Sequence, residues 1–245
     1  MSSRKSRERR ASKRWPLLAT IILVVVVLAS AVVLYHPAGS SATQSSSSGK
    51  YVILYVNQGN GVVNESNFGS MLSFASVHGF NTIFFQVYRE GDLLFNASQL
   101  SFFVSQAHAQ RMKVFFSVYI TSGAQMLPVS IYNLGEDGIS LDMSTLPFSD
   151  QSSFFSSLKE GYTSGLTAIT TTNLTLSLSP DLLVLETYAS QVQQYSLYVH
   201  PGVILSVGVF ATTSQTDYQQ EFQYSLANSD GVMVFDYAGL MKSGY

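Results

Sequence analysis

From residue 51 to residue 237 the chain repeats one unit: a short run of apolar, β-favouring residues, a turn signal, and a segment with apolar residues at helical spacing. YVILYV (51–56) ends in Asn57-Gln58-Gly59-Asn60-Gly61. Residues 67–78 follow with Phe68, Met71, Leu72, Phe74 and Ala75 at helical spacing, and Gly79 closes the segment. NTIFFQVY (81–88) and KVFFSVYI (113–120) are the next two runs, with a helical segment at 98–110 between them. GISLDM (138–143), VILSVGVF (203–210) and GVMVFDY (231–237) continue the series, and helices are expected around 150–161, 180–197 and 216–228. GLTAITTTNLTLSLS (165–179) supplies one strand or two. Apolar runs without polar alternation are strands covered on both faces, the mark of a parallel sheet flanked by helices.

Seven or eight such units predict an α/β fold, a compact (β/α)8 TIM-like barrel, with an open doubly wound sheet as the alternative. No Gly-x-Gly-x-x-Gly follows the first run, which weighs against a nucleotide-binding sheet. Residues 50–245 number 196, fewer than the roughly 250 typical of such barrels. Only nine residues follow Asp236, so the barrel is expected to be incomplete, one flank open or covered by the preceding linker.

The first part of the chain is a different object. Residues 1–16 form a basic tail with seven of the thirteen Lys/Arg: Arg4, Lys5, Arg7, Arg9, Arg10, Lys13 and Arg14. Residues 17–35, LLATIILVVVVLASAVVLY, carry no charge and approach the roughly 20 apolar residues that span a bilayer. They read as a transmembrane signal anchor with a cytoplasmic N-terminus, or else as a signal peptide cleaved near Ala29-Ser30-Ala31. A Ser/Gly-rich linker covers 36–49. On either reading the 50–245 domain lies outside the cytoplasmic membrane, single-pass anchored or secreted. That domain has six Lys/Arg against fourteen Asp/Glu, a formal charge of −8, which argues against nucleic acid as a partner. Cysteine is absent, which excludes thiol catalysis and Cys-ligated zinc. His36, His78, His108 and His200 lack metal-ligand spacing, and no metal or other cofactor is expected.

In parallel α/β folds the functional groups gather at the C-terminal ends of strands. Those positions hold Asn57 and Gln58, then Gln86, Tyr88, Arg89, Glu90 and Asp92, then Ser117, Tyr119 and Thr121, then Asp142, and finally Asp236 and Tyr237. Asp142 lies between Leu141 and Met143 on an apolar strand, where a carboxylate must face a polar cleft or be paired. Glu90 and Asp92 also fit plain turn positions, and Asp236 fits a carboxylate capping loop amides. Tyr55, Tyr88, Tyr119 and Tyr237 suit stacking on sugar faces, or the core.

Three segments carry a resemblance. FNTIFFQVYREGDLLF (80–95) resembles the second-strand region of glycosyl-hydrolase-like (β/α)8 barrels of bacteria and archaea; DGISLDMS (137–144) resembles their fourth strand and, distantly, that of family-18 chitinases. GVMVFDYAG is similar to the last strand of chitinase-like barrels. The resemblance implies a barrel acting on glycans, with Asp142 in the position of the catalytic aspartate. Asp137 and Asp142 match the chitinase pattern, while Ser140 and Ser144 replace an aspartate and the acid glutamate; Tyr88 stands where the family has arginine, one residue before Arg89. Glycosidic hydrolysis ordinarily needs two carboxyl groups, and serine cannot protonate a leaving oxygen as a carboxylic acid does. The expected machinery is therefore Asp142 as nucleophile or base with Glu90 or Asp236 as acid. Tyr55, Gln86, Tyr88, Arg89, Asp92, Tyr119, Asp137 and Tyr237 are expected to bind the polysaccharide. The alternative is a non-catalytic glycan-binding or envelope-structural barrel.

Overall fold

The computed structural model describes residues 49–58, 63–174, 177–187, 192–209 and 213–244. The expected basic tail, apolar span and all but the last residue of the linker lie outside the described residues; among those described, no helix is long and apolar enough to cross a membrane.

The elements in chain order are β1 (Tyr51–Val56), α1 (Phe68–Val77), β2 (Thr82–Arg89), β3 (Asp92–Leu93), α2 (Ala97–Ala109), β4 (Lys113–Tyr119), β5 (Gly138–Asp142), α3 (Phe148–Gly161), β6 (Leu166–Thr171), β7 (Leu182–Glu186), β8 (Val203–Gly208), α4 (Gln215–Asn228), β9 (Gly231–Phe235) and α5 (Tyr237–Ser243). Eight strands pair in parallel in the order β1-β2-β4-β5-β6-β7-β8-β9, and β9 returns to β1 through Tyr51↔Gly231 and its successors. The sheet is thus a closed eight-stranded barrel, with β3 an antiparallel hairpin on β2. The expected open flank is not present in the sheet. The economy falls on the helical coat: the described residues between β6 and β7 form no helix, and a short 3₁₀ turn (Val192–Tyr198) links β7 to β8.

The helix expected at 180–197 is replaced by β7 and that 3₁₀ turn. Leu182 to Leu185 form a four-residue apolar run, too short for a buried helix of ordinary length and right for a buried strand. Among the described residues of 165–179 there is one strand, β6.

Side-chain alternation divides the core in two. Ile53, Tyr55, Phe84, Phe115, Ala168, Leu182, Val184, Ile204 and Met233 fill the barrel interior. The intervening residues, such as Leu54, Phe85, Phe116, Leu141 and Val234, pack outward against helices that contribute Phe68, Leu72, Phe103 and Leu158. Asn96 starts α2 with a reciprocal capping box to Gln99, which satisfies two otherwise unpaired amides.

One device recurs four times at the N-terminal face. The residue just before the second strand of each pair accepts a hydrogen bond from an amide at the start of the first. Asn81 takes Val52 N at 3.0 Å, Asp137 takes Val114 N at 2.8 Å, Asp181 takes Thr167 N at 2.8 Å and Asp230 takes Gly202 N at 2.6 Å. These bonds tie β1 to β2, β4 to β5, β6 to β7 and β8 to β9. They bind a backbone donor that strand pairing leaves over at the strand start.

Candidate active site

Along the strands, inward positions change from apolar to polar towards the C-terminal end. On β4 the inward residues run Phe115 then Ser117; on β7 they run Leu182, Val184, Glu186; on β8 they run Ile204 then Ser206. Ser117, Ser140, Thr170 and Ser206 are all buried, as are the carboxylates Asp142 and Glu186, which are 4 % and 6 % exposed. Burying two carboxylates within one polar layer costs free energy that hydrophobic residues there would avoid. An acid pair in that setting, with a perturbed carboxyl, marks a candidate site.

Asp142 ends β5, with its carboxylate held from several sides. Tyr55 donates its hydroxyl to Oδ2 at 3.0 Å, and Ser117 Oγ donates to the Tyr55 oxygen at 3.2 Å. Ser144 places its hydroxyl 3.5 Å from Oδ1. Register sets the second carboxylate: Asp142 is level with Thr170, Thr170 with Val184, and Glu186 lies two residues further along β7. That is one pleat, ~6.6 Å, nearer the C-terminal face. Burial and then the charge of Glu186 push the Asp142 carboxyl up to about 7, against the pull of the Tyr55 hydroxyl and the Ser144 amide and hydroxyl. Two carboxylates so coupled retain one proton between them near neutral pH.

The surrounding groups follow the same geometry. Tyr119 is the register partner of Asp142, and Arg89 lies 5.6 Å from the centre of its ring, forming a cationic rim. Phe235 stacks obliquely on Tyr55 with ring centres 5.1 Å apart. Ser206, level with Glu186 on β8, is 1 % exposed, and its hydroxyl has no hydrogen-bond partner among the described residues.

Among the residues expected at the site, the structure gathers Asp142, Tyr55 and Tyr119, with Arg89 at the rim. Gln86 is buried beside them, its Oε1 accepting from Gln58 N at 2.8 Å, so it fixes the loop after β1. Tyr88 is buried and donates to the Met126 carbonyl at 2.9 Å, anchoring the loop after β4. Glu90 and Gly91 are the central residues of the tight β2–β3 hairpin, both at positive φ as such turns require. Glu90 pairs with Arg89 at 3.3 Å, and Asp92 is exposed opposite Arg89.

Asp236 is the N-cap of α5, Oδ1 accepting from Gly239 N at 2.9 Å, and burial raises its carboxyl. Tyr237 packs edge-on against Phe74 of α1, ring centres 5.4 Å apart, on the outside of the barrel. Asp137 lies at the other end of β5, holding Val114 N and pairing with His108 Nε2 at 2.8 Å. Five residues of strand, ~17 Å, separate it from Asp142. Glu186 is the acid that sequence reasoning missed. Its signal is the one that identified Asp142, a short apolar run ending in a carboxylate. A helical reading of the same residues hides it. Among the described residues no cluster of three His, Asp or Glu is placed to hold a metal ion.

No family model matches the chain, and no curated protein matches it in sequence. Solved structures match in fold. A β-mannanase from Streptomyces thermolilacinus, solved with mannohexaose, is 10 % identical with a TM-score of 0.54, covering 76 % of this chain and 78 % of that one. A β-N-acetylhexosaminidase is 8 % identical with a TM-score of 0.53, covering 76 % and 66 %. A putative dihydrodipicolinate synthetase from Pseudomonas aeruginosa is 14 % identical with a TM-score of 0.51, covering 76 % and 70 %. The chain is a (β/α)8 barrel whose structural neighbours include glycosyl hydrolases and proteins of other chemistry.

Proposed function

We propose that the barrel is a glycoside hydrolase acting on polysaccharide, with Asp142 and Glu186 as its two carboxyl groups. The observation that carries this reading is the buried pair at the ends of β5 and β7, where burial first and the charge of Glu186 second lift Asp142 to about 7. One ionised and one protonated carboxyl group at the same cleft is the requirement of glycosidic hydrolysis. Asp142 receives hydroxyls from Tyr55 and Ser144, which favour its ionised form, against burial and Glu186, which favour its protonated form. The proton held by the pair is delivered to the leaving oxygen by one carboxyl group while the other acts as nucleophile or base. The second acid thus comes from β7, across the cleft, instead of from the position of Ser144, which sets the machinery apart from the chitinase pattern. Tyr119, Phe235 and Arg89 form the rim against which sugar rings stack.

The lysines weigh against imine chemistry, the main alternative in a barrel of this kind. A Schiff-base mechanism needs an amine in the barrel interior. Lys50 and Lys113 lie at the N-terminal face, Lys159 is on α3 and Lys242 on α5. We extend the proposal to location: residues 17–35 anchor the chain and hold the barrel outside the cytoplasmic membrane, facing surface glycans.

The test is reducing-end release from a panel of polysaccharides, β-mannan and amino-sugar polymers included, by wild type and Asp142→Asn. Turnover of one polymer by wild type and its loss in the variant supports the reading. Tight binding of a polymer by both proteins without turnover makes the barrel a glycan-binding module.

A further inference from the structure

The N-terminal face of the barrel, opposite the carboxylate pair, holds a cavity of about 260 Å³ lined by Lys50, Tyr51, Asn81, Thr82, Arg111 and Lys113. Three of the six cations in a domain of charge −8 meet there, and no acid lines the cavity. The ion pairs of the described residues are Arg89–Glu90, His108–Asp137 and Lys159–Asp181, so these three cations have no carboxylate partner. Lys50 donates to the Leu226 carbonyl at 2.6 Å, at the end of α4, and supplies charge to the cavity rather than a free donor. Lys113 lies 4.8 Å from the Tyr51 ring centre, with a long 3.4 Å contact to its hydroxyl, so its ammonium keeps donors for another group. Arg111 is exposed and has φ +61°, a left-handed conformation that glycine or asparagine adopts more easily. Arg111 follows α2 in the left-handed conformation that closes a helix, Met112 N donating to the Ala107 carbonyl at 3.0 Å, and its side chain joins two further cations with no acid among them.

The geometry points to this cavity as a binding site for a phosphate group, with Arg111 and Lys113 as its direct donors and Lys50 as supporting charge. A phosphate brings the compensating negative charge, and its several oxygens accept from a guanidinium and an ammonium together. The group belongs either to a soluble phosphate ester or to an anionic lipid headgroup. The second source has a geometric motive, because the chain enters the barrel through Lys50 at this same face.

The experiment is thermal unfolding of the full chain in detergent, titrated with inorganic phosphate against chloride at matched ionic strength. A second arm uses short-chain, water-soluble phosphatidylglycerol. Phosphate is expected to raise Tm saturably above the chloride control, as any ligand selective for the native state does. Arg111→Gly relieves the left-handed conformation, so it is expected to unfold at a higher temperature without phosphate and to lose most of the response. Lys113→Gln is expected to weaken the response at least tenfold in concentration. A lipid response at tenfold lower concentration than phosphate identifies a headgroup site, and equal responses identify a soluble ester. A shift no larger than that of chloride, or one unchanged in both variants, overturns the proposal. Glycan turnover does not enter this test, so the fate of the carboxylate pair leaves its outcome unaffected.

Discussion

Tyr55 on β1 donates its phenolic hydroxyl to Oδ2 of Asp142 on β5 across the barrel at 3.0 Å, and its own oxygen accepts from Ser117 at 3.2 Å. Donors from β4 and β1 thereby run in series, Ser117 to Tyr55 and Tyr55 to the carboxylate on β5. This relay favours the ionised carboxylate, while burial and Glu186 favour the protonated one. The competition holds the pair's proton near neutrality.

Tyr55→Phe keeps the ring against Phe235 and removes the donor. Asp142 then loses a group that lowers its pKa, so the pH at which the pair gives up its proton is expected to rise. The pH profile of kcat/KM should keep its shape, move its alkaline limb upward and fall in height by about 10- to 100-fold. A profile of unchanged position would show that the hydroxyl does not act on Asp142.

Asp142→Asn should stabilise the protein, and more so at pH 8 than at pH 5. With its pKa raised to about 7, native Asp142 holds a proton that the unfolded chain has released above its ordinary value of 3.8. Between those values the native state binds more protons, so stability falls as pH rises through that window. The neutral amide is free of that penalty, and at pH 8 the gain is expected to be on the order of 4 kcal/mol. Paired thermal melts at the two pH values measure it.

Ser206→Ala should leave stability unchanged or raise it by about 1 kcal/mol, because it deletes a buried hydroxyl that lacks a partner among the described residues. If that hydroxyl positions water or substrate beside Glu186, kcat/KM falls despite the gain in Tm. Measuring both quantities on one preparation separates the two effects.

Asp137→Ala and Asp236→Ala should do the opposite. Each removes a carboxylate that holds a backbone amide, Val114 N or Gly239 N, at a cost of about 1–2 kcal/mol each. Turnover by either folded variant should stay within about threefold of wild type, the range of surface changes away from a site.

The barrel was legible in the sequence because eight buried strands leave near-continuous apolar runs. Six of those runs were bounded closely, and Asp142 was identified by its place at the end of one. Acids at strand ends serve two purposes here, and composition does not separate them. Asp137, Asp181 and Asp230 stand before strands as amide acceptors, while Asp142 and Glu186 stand after them as a buried pair. Asp137 and Asp142 lie in the same eight-residue stretch yet at opposite ends of β5. Glu186 was hidden because a helical reading of 180–197 absorbed the short apolar run Leu182 to Leu185, which pairs with β6 and β8 as a strand. The approach of β7 to β5 within a closed barrel is a tertiary fact, with no local signature near residue 186.

The most direct test of the account is the titration of the Asp142 carboxyl, followed by carbon NMR in wild type and in Glu186→Gln. The account predicts a titration near pH 7 in wild type and a clear downward shift when Glu186 loses its charge. A wild-type carboxyl titrating in the ordinary aspartate range, or one that Glu186→Gln leaves unmoved, would contradict the coupled pair on which the proposed chemistry rests.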